Sequence, residues 1–215
     1  MPFITFEGVE GMGKSTQLLG LEAALRQGGF SVLRTFEPGD TPLGRELRGH
    51  LLGHQFNPDK RTELLLYAAD RAEHVAKVIR PMLQIQGAAG PAFVLCDRYA
   101  DATLAYQGGG RALPMDWLRQ LNDYATDGLQ PDLTFLFDGD PVVGIERARG
   151  RALLDRIENE DVSFFIAVRA KYLELAREEP HRFIIVDAMQ PIESVTAAVR
   201  AAMVARYPQL HKALA

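Results

Sequence analysis

Phe3-Ile4-Thr5-Phe6, then after Glu7 the run Gly8-Val9-Glu10-Gly11-Met12-Gly13-Lys14-Ser15, is the stretch that decides the fold. Four apolar or β-type residues form a strand, and the eight that follow fit G-x-x-x-x-G-K-[ST]. Helical spacing begins at Ser15, so the motif lies between a strand and a helix, the context it requires. Its glycines let successive N–H groups turn inward as an anion nest, and the helix N-terminus adds its positive dipole end. In such a loop Lys14 reaches the terminal phosphates as a point charge and Ser15 offers its hydroxyl to Mg²⁺. The candidate phosphate contacts are therefore Gly8, Val9, Glu10, Gly11, Met12, Gly13, Lys14, Ser15 and Thr16.

Outward from this loop, four more β-type runs follow: Ser31-Val32-Leu33, Ala92-Phe93-Val94-Leu95, Leu133 to Phe137 and Phe183 to Val186. Helical spacing covers Ser15 to Gly28, Arg61 to Arg80, Met115 to Thr126, Pro141 to Gly150 and Ile192 to Arg206. Gly28-Gly29, Gly90-Pro91 and Pro131 punctuate them. Strands alternating with helices, and nearly continuous in apolar residues, predict an α/β fold with a parallel sheet covered on both faces. Pro38 to Asp59 is the least regular connection and is expected to be a functional insertion.

Composition narrows the function. The 215 residues suit one domain of ordinary size, and 47% of them are hydrophobic. With 24 Lys and Arg against 28 Asp and Glu, the formal charge is −4, which excludes a nucleic-acid coat and a polybasic membrane binder. Cys96 is the one cysteine, so there is no intrachain disulfide framework and no thiolate zinc cluster. Without an apolar run near 18 residues or a charged-then-apolar leader, the expectation is a cytoplasmic protein with neither membrane nor nucleic-acid partners. No Asn-Lys pair occurs, so the Asn-Lys-x-Asp base reader of a guanine-nucleotide switch is missing. A regulatory ATP switch stays open at this point, and what it would not need is a second phosphate site.

Four further segments suggest such a site. The first is Glu37-Pro38-Gly39-Asp40-Thr41-Pro42-Leu43-Gly44 with Arg48, which by itself also fits a Pro-Gly turn. In Leu65 to Arg71, Tyr67 and Arg71 lie four apart on one helix face, where a ring could stack on a base and a guanidinium donate to its edge. Arginine has donors only, which suits thymine O4 and disfavours the cytosine amino group; a core Tyr with a surface Arg is the alternative. The third, Cys96-Asp97-Arg98-Tyr99, ends an apolar run at the edge where open α/β sheets bind ligands. The Arg98 fork can take phosphate oxygens in pairs, while Asp97 could orient Mg²⁺-bound water or Lys14, or simply cap the strand. The fourth, Arg147 to Glu158, places four arginines within ten residues beside Gly150, which fits a mobile flap or a solvated helix face.

Together these segments resemble the thymidylate kinases. Glu37 to Gly44 is similar to the family's E-P-G-G-T-P-L-G, with Asp40 in place of the usual Gly. Tyr67 stands where Phe is usual, Asp97-Arg98-Tyr99 matches D-R-[YF], and Thr103 to Arg111 is similar to S-x-A-Y-Q-G-x-G-R. Asp187-Ala188-Met189-Gln190 is similar to D-A-x-Q beside the donor adenine. The resemblance implies the nucleoside monophosphate kinase fold, with a five-stranded parallel sheet flanked by helices, one domain over residues 1–215, and a short lid at about 147–158. It implies ATP plus dTMP giving ADP plus dTDP, with Mg²⁺. The implied acceptor contacts are Glu10, Glu37, Arg48, Tyr67, Arg71, Arg98, Thr103, Tyr106 and Gln107. In that scheme Arg48 and Arg98 hold the acceptor phosphate, Glu10 the sugar 3′-hydroxyl, and Tyr106 packs where a ribose 2′-hydroxyl would sit. Catalysis falls to Lys14, Arg98 and the lid arginines Arg149 and Arg151, with Ser15 and Asp97 at the metal and Arg156 in a structural role. The loop has Gly11 where the other type carries Arg, so the arginines belong to the lid, as in the bacterial type. A homodimer through helices is also implied.

Overall fold

The computed structural model describes residues 1–85, 92–150 and 154–214. Five strands, β1 (Phe3–Glu7), β2 (Ser31–Phe36), β3 (Ala92–Asp97), β4 (Leu133–Asp138) and β5 (Phe183–Asp187), form one parallel sheet in the order β2-β3-β1-β4-β5. Every β-type run of the sequence is a strand, each extended at its carboxyl end by one to three residues. Four of the five extensions end on an acid (Glu7, Asp97, Asp138, Asp187) and the β2 extension begins with Arg34 and Thr35, so the apolar run stops short of them. Ile4, Phe6, Phe93, Leu95, Phe135 and Leu136 are buried in the core beneath the helices. Burying one such side chain contributes about 1.5–3 kcal/mol.

The helices are α1 (Lys14–Gln27), α2 (Pro42–Leu52), α3 (Lys60–His74), α4 (Arg80–Gln84), α5 (Ala100–Thr103), α6 (Met115–Thr126), α7 (Pro141–Arg149), α8 (Val162–Glu178), α9 (Ile192–Arg206) and α10 (His211–Leu214). One wider turn over Val75–Ile79 joins α3 to α4, and another over Leu104–Gly110 continues α5. Two expectations need correction. Pro38 to Asp59 is not irregular throughout, because it contains α2, started by Pro42 and by the Thr41 hydroxyl accepting from the Gly44 N–H at 2.8 Å. The spacing readings also omit α8, although Phe164, Phe165, Val168, Tyr172, Leu175 and Ala176 bury one face at helical intervals. Gly90-Pro91 lies outside the described residues.

Register sets the site. Phe6 and Phe36 both pair with Asp97, so β1, β2 and β3 end level with one another. Their following loops open on one edge of the sheet, where ligands bind in open α/β folds.

Candidate active site

Gly8 has φ 135° and Gly11 φ 72°, both in the region that disfavours side chains. A Cβ on Gly8 would meet the Phe137 carbonyl at 2.4 Å, and one on Gly11 the Gly144 carbonyl at 1.9 Å. Backbone approach from β4 and α7 thus fixes both as glycine. No side chain caps the start of α1, so its first amides face outward for an anion. The buried Lys14 Nζ donates to the carbonyls of Gly8 at 2.9 Å and Val9 at 2.8 Å. Burial and the neighbouring Arg98 charge push its ammonium down to about 8. Ser15 Oγ donates to Asp97 Oδ2 at 2.8 Å, which brings two hard oxygen donors together, a set suited to Mg²⁺. Among the described residues no three His, Cys, Asp or Glu side chains gather into an all-protein cage.

Arg98 follows β3 with φ 69°, left-handed for a non-glycine residue. Three links hold this turn: its own N–H donates to the Phe6 carbonyl at 3.1 Å, and the next N–H, of Tyr99, to Glu7 Oε1 at 2.7 Å. The third is indirect, since Tyr172 Oη donates to Glu7 Oε2 at 2.6 Å and accepts from Arg98 Nη1 at 3.4 Å. Burial, reinforced by Asp101, pushes the Glu7 carboxyl up to about 8. So directed, Arg98 Nη2 donates to Glu10 Oε1 at 2.8 Å, and its guanidinium lies 4.9 Å over the Tyr106 ring. Tyr106 Oη donates to the same Glu10 carboxylate at 2.8 Å.

At the other end of the pocket Arg71 is 2% exposed, so it is not a surface arginine. Its Nε donates to Glu37 Oε2 at 2.8 Å, Nη1 to Thr103 Oγ1 at 2.6 Å and Asn122 Oδ1 at 2.9 Å, and Nη2 to the Tyr99 carbonyl at 3.0 Å. That accounts for four of its five N–H groups. Glu37 Oε1 meets His74 Nδ1 at 2.9 Å, and Arg71 and His74 hold Glu37 below the usual carboxylate range despite its burial. Gln107 Nε2 donates to the buried Glu63 at 2.9 Å. Tyr67 is half-buried at the pocket wall, with its phenol pushed up by burial and by Glu63. Arg48 is exposed at the mouth, with Nη1 on the Pro38 carbonyl at 2.7 Å and its guanidinium 5.7 Å over Phe36.

These groups line one cavity of about 460 Å³, which all nine expected acceptor contacts reach, together with Gly11 to Thr16 and Asp97. Gly8 and Val9 sit behind it. Phe36, Leu52, Asp155 and Glu158 also line it, unanticipated from sequence. Asp155 and Glu158 cap one another's amides at 2.9 and 3.0 Å, in the reciprocal pattern of a capping box. Arg149 is exposed at the end of α7 and does not reach the cavity; Arg151 lies outside the described residues. Arg156 is docked, its Nε on the Leu51 carbonyl at 2.8 Å and Nη2 on Glu63 at 2.5 Å. A second cavity of about 300 Å³ shares Gly11, Met12, Gly13 and Thr16 with the first and is walled by Arg147, Ala188 and Gln190. The loop is therefore a partition between two spaces.

A family profile described as Thymidylate kinase matches residues 6–199. Thymidylate kinase of Deinococcus radiodurans is 47% identical over 94% of this chain and 95% of its own. That of Thermomicrobium roseum is 50% identical over 92% and 91%. The crystal structure of thymidylate kinase from Ehrlichia chaffeensis superposes with a TM-score of 0.73 at 32% identity, covering 94% of this chain and 97% of that one. No helix among the described residues is long and apolar enough to cross a membrane.

Proposed function

The chain belongs to the thymidylate kinase family and phosphorylates dTMP to dTDP for dTTP synthesis, and from that premise we propose that ATP and dTMP occupy the two cavities on either side of the phosphate loop. The observation that carries this assignment is the partition itself. Gly11, Met12, Gly13 and Thr16 face both spaces, so a phosphoryl group held on the loop is within reach of either. The smaller cavity, beside Ala188 and Gln190, takes the donor, and the larger takes dTMP.

At the dTMP end, Tyr67 stacks on the base while the remaining Arg71 donor faces its O4 edge. Thr103 and Gln107 approach the base, and Glu37 keeps Arg71 oriented. Glu10 receives the sugar 3′-hydroxyl, and the Tyr106 ring leaves no room for a 2′-hydroxyl. Arg48 and Arg98 take the acceptor phosphate, for which Arg98 exchanges its bond to Glu10.

The acceptor needs no side-chain base. A phosphate monoester has a second pKa of about 6, so near neutrality it is already the nucleophile. The task is to align two anions and offset their repulsion. Lys14 leaves the carbonyls of Gly8 and Val9 for the transferring phosphoryl group, and its charge follows that group through the transfer. Ser15 and Asp97 would hold Mg²⁺, which when bound screens the donor phosphates. Residues 1–215 act as one kinase domain whose lid, about 147–158, closes over the donor, and Arg149 and Arg151 supply charge to the migrating group from there. Closure excludes water and so prevents loss of ATP to hydrolysis. The working protein is taken to be a cytoplasmic homodimer.

The test is coupled ADP release with Mg-ATP and dTMP, dUMP, dCMP, dGMP or AMP, each against a control lacking acceptor. Release that depends on dTMP above the others is expected. Release indifferent to acceptor would return the larger cavity to mere packing.

A further inference from the structure

Behind the base end of the pocket, a file of polar groups runs from the surface to Arg71. The Asp40 carboxylate, half-buried, accepts from Thr35 Oγ1. Thr35 Oγ1 lies 2.5 Å from His74 Nε2, and His74 Nδ1 lies 2.9 Å from Glu37 Oε1. Glu37 in turn takes Arg71 Nε at 2.8 Å. His74 has no exposed surface.

Three contacts join Asp40, Thr35, His74 and Glu37, and each needs one proton between its heavy atoms. Ionised Asp40 and Glu37 supply none, the threonine hydroxyl supplies one and a neutral imidazole supplies one. The file is one proton short. Glu37 cannot hold the missing proton, since both its oxygens already accept from cationic or N–H donors and it sits below the usual carboxylate range. Were position 40 glycine, as in the family pattern, only two contacts would remain and the neutral imidazole would satisfy them. Asp40 creates the demand.

We infer that Asp40 makes His74 a buried imidazolium that donates from both ring nitrogens, and that through Glu37 this charge positions Arg71 in the acceptor pocket. The surrounding charges favour the proton on the ring. Glu37 and Asp40 face it from the loop after β2, and Asp70 lies on its own helix with a carboxylate oxygen that has no partner among the described residues. Against these three acids stands, among the described residues, the Arg71 guanidinium; the Cys96 thiol on β3 is held protonated by burial. Asp70 itself is pushed up to about 6 by burial and by Glu37, as expected where negative charge is already in excess.

Two-bond proton–nitrogen correlation of the ¹⁵N-labelled full-length protein at pH 7.5 tests the proton count directly. The other four histidines, His50, His54, His181 and His211, are exposed, so His74 is the one with slowly exchanging ring protons. Two ring N–H groups with imidazolium nitrogen shifts are expected. In Asp40→Asn the amide donates to Thr35, which then donates to His74, so the file closes on a neutral ring with a single Nδ1–H. A single N–H on His74 in the wild type would overturn the inference. Positioning is read separately: D40N should raise the dTMP KM about fivefold, the difference between a charge-assisted and a neutral hydrogen bond, at constant ATP KM. A dTMP KM that does not move would overturn the positioning half. That half rests on the larger cavity being the dTMP site; were it not, Arg71→Leu would also leave the dTMP KM unchanged, while the proton count would stand.

Discussion

The two ends of the larger cavity are built on opposite plans. At the end proposed for the base, Arg71, Glu37, His74, Thr103 and Asn122 are buried and joined by hydrogen bonds to one another. At the phosphate end, Lys14 rests on its own loop carbonyls and Arg98 on Glu10, bonds that a phosphate would replace. The contrast follows the chemistry. A base is read by fixed donors, whose ordering is complete before binding. A migrating phosphoryl group needs cations whose partners can be exchanged as charge moves.

The contrast is tested most severely by a pair of substitutions at the phosphate end. Lys14→Ala and Arg98→Ala should each lower kcat by about 10³-fold or more, the scale of losing a preorganised charge in the transition state. Neither should lower Tm by more than a few degrees, because the groups left behind are backbone carbonyls and the partly solvated Glu10. In Arg98→Ala, ATP affinity should persist. Unchanged turnover at saturating dTMP would remove Arg98 from the phosphate clamp.

Arg71→Leu should show the reverse signature. It leaves Glu37 buried with a cationic partner removed, a loss of about 3–5 kcal/mol, or roughly 10 °C in Tm for a chain of this size. The KM for dTMP should rise and the KM for ATP stay constant. Thermal unfolding beside the two-substrate kinetics separates these patterns, and an Arg71 variant as stable as the wild type would collapse the distinction between the two ends.

The difference also governs what could be read from sequence. The phosphate loop, Asp97 and Arg98 are contiguous or follow strands, so their spacing carries them. Tyr67 and Arg71 are visible as neighbours on one helix face. By contrast, His74 meets Glu37 at a separation of 37 residues, Asn122 meets Arg71 at 51, Glu7 meets Tyr99 at 92 and Tyr172 meets Glu7 at 165, and no local pattern marks them. The sequence reading missed α8, although its buried face recurs at helical intervals, and α2, whose short span lies between Pro- and Gly-rich flanks despite its Thr41-Pro42 start. Asp40 was visible only as a departure. Its role depends on the fold that brings it to Thr35.

A smaller effect is expected from Arg149→Ala. Arg149 is exposed and makes no side-chain bond among the described residues, so Tm should not change. If it reaches the migrating group when the lid closes, kcat falls about tenfold, the scale of a partly shared charge, with little effect on either KM. A kcat equal to the wild type would pass the role to Arg151.

The smallest effect is a proton. Without nucleotide, burial and Arg98 set Lys14 near 8, so at pH 8 about half the molecules carry a neutral amine there. A polyphosphate brought against Nζ favours the ammonium and raises that value. Binding of ATP at pH 8 should therefore take up protons, by up to about half a proton per site from Lys14, and the uptake should shrink below pH 7, where the amine is already charged. Calorimetric titration in two buffers of different ionisation enthalpy measures the number, and the uptake should vanish in Lys14→Met. The base end offers no such exchange, because Arg71 stays charged throughout this range. Titration with dTMP at the same pH, corrected for ionisation of its own phosphate, should show much less uptake than ATP. Equal uptake for both nucleotides would mean that the acceptor also draws on Lys14, and the phosphate loop would then serve both anions through one cation.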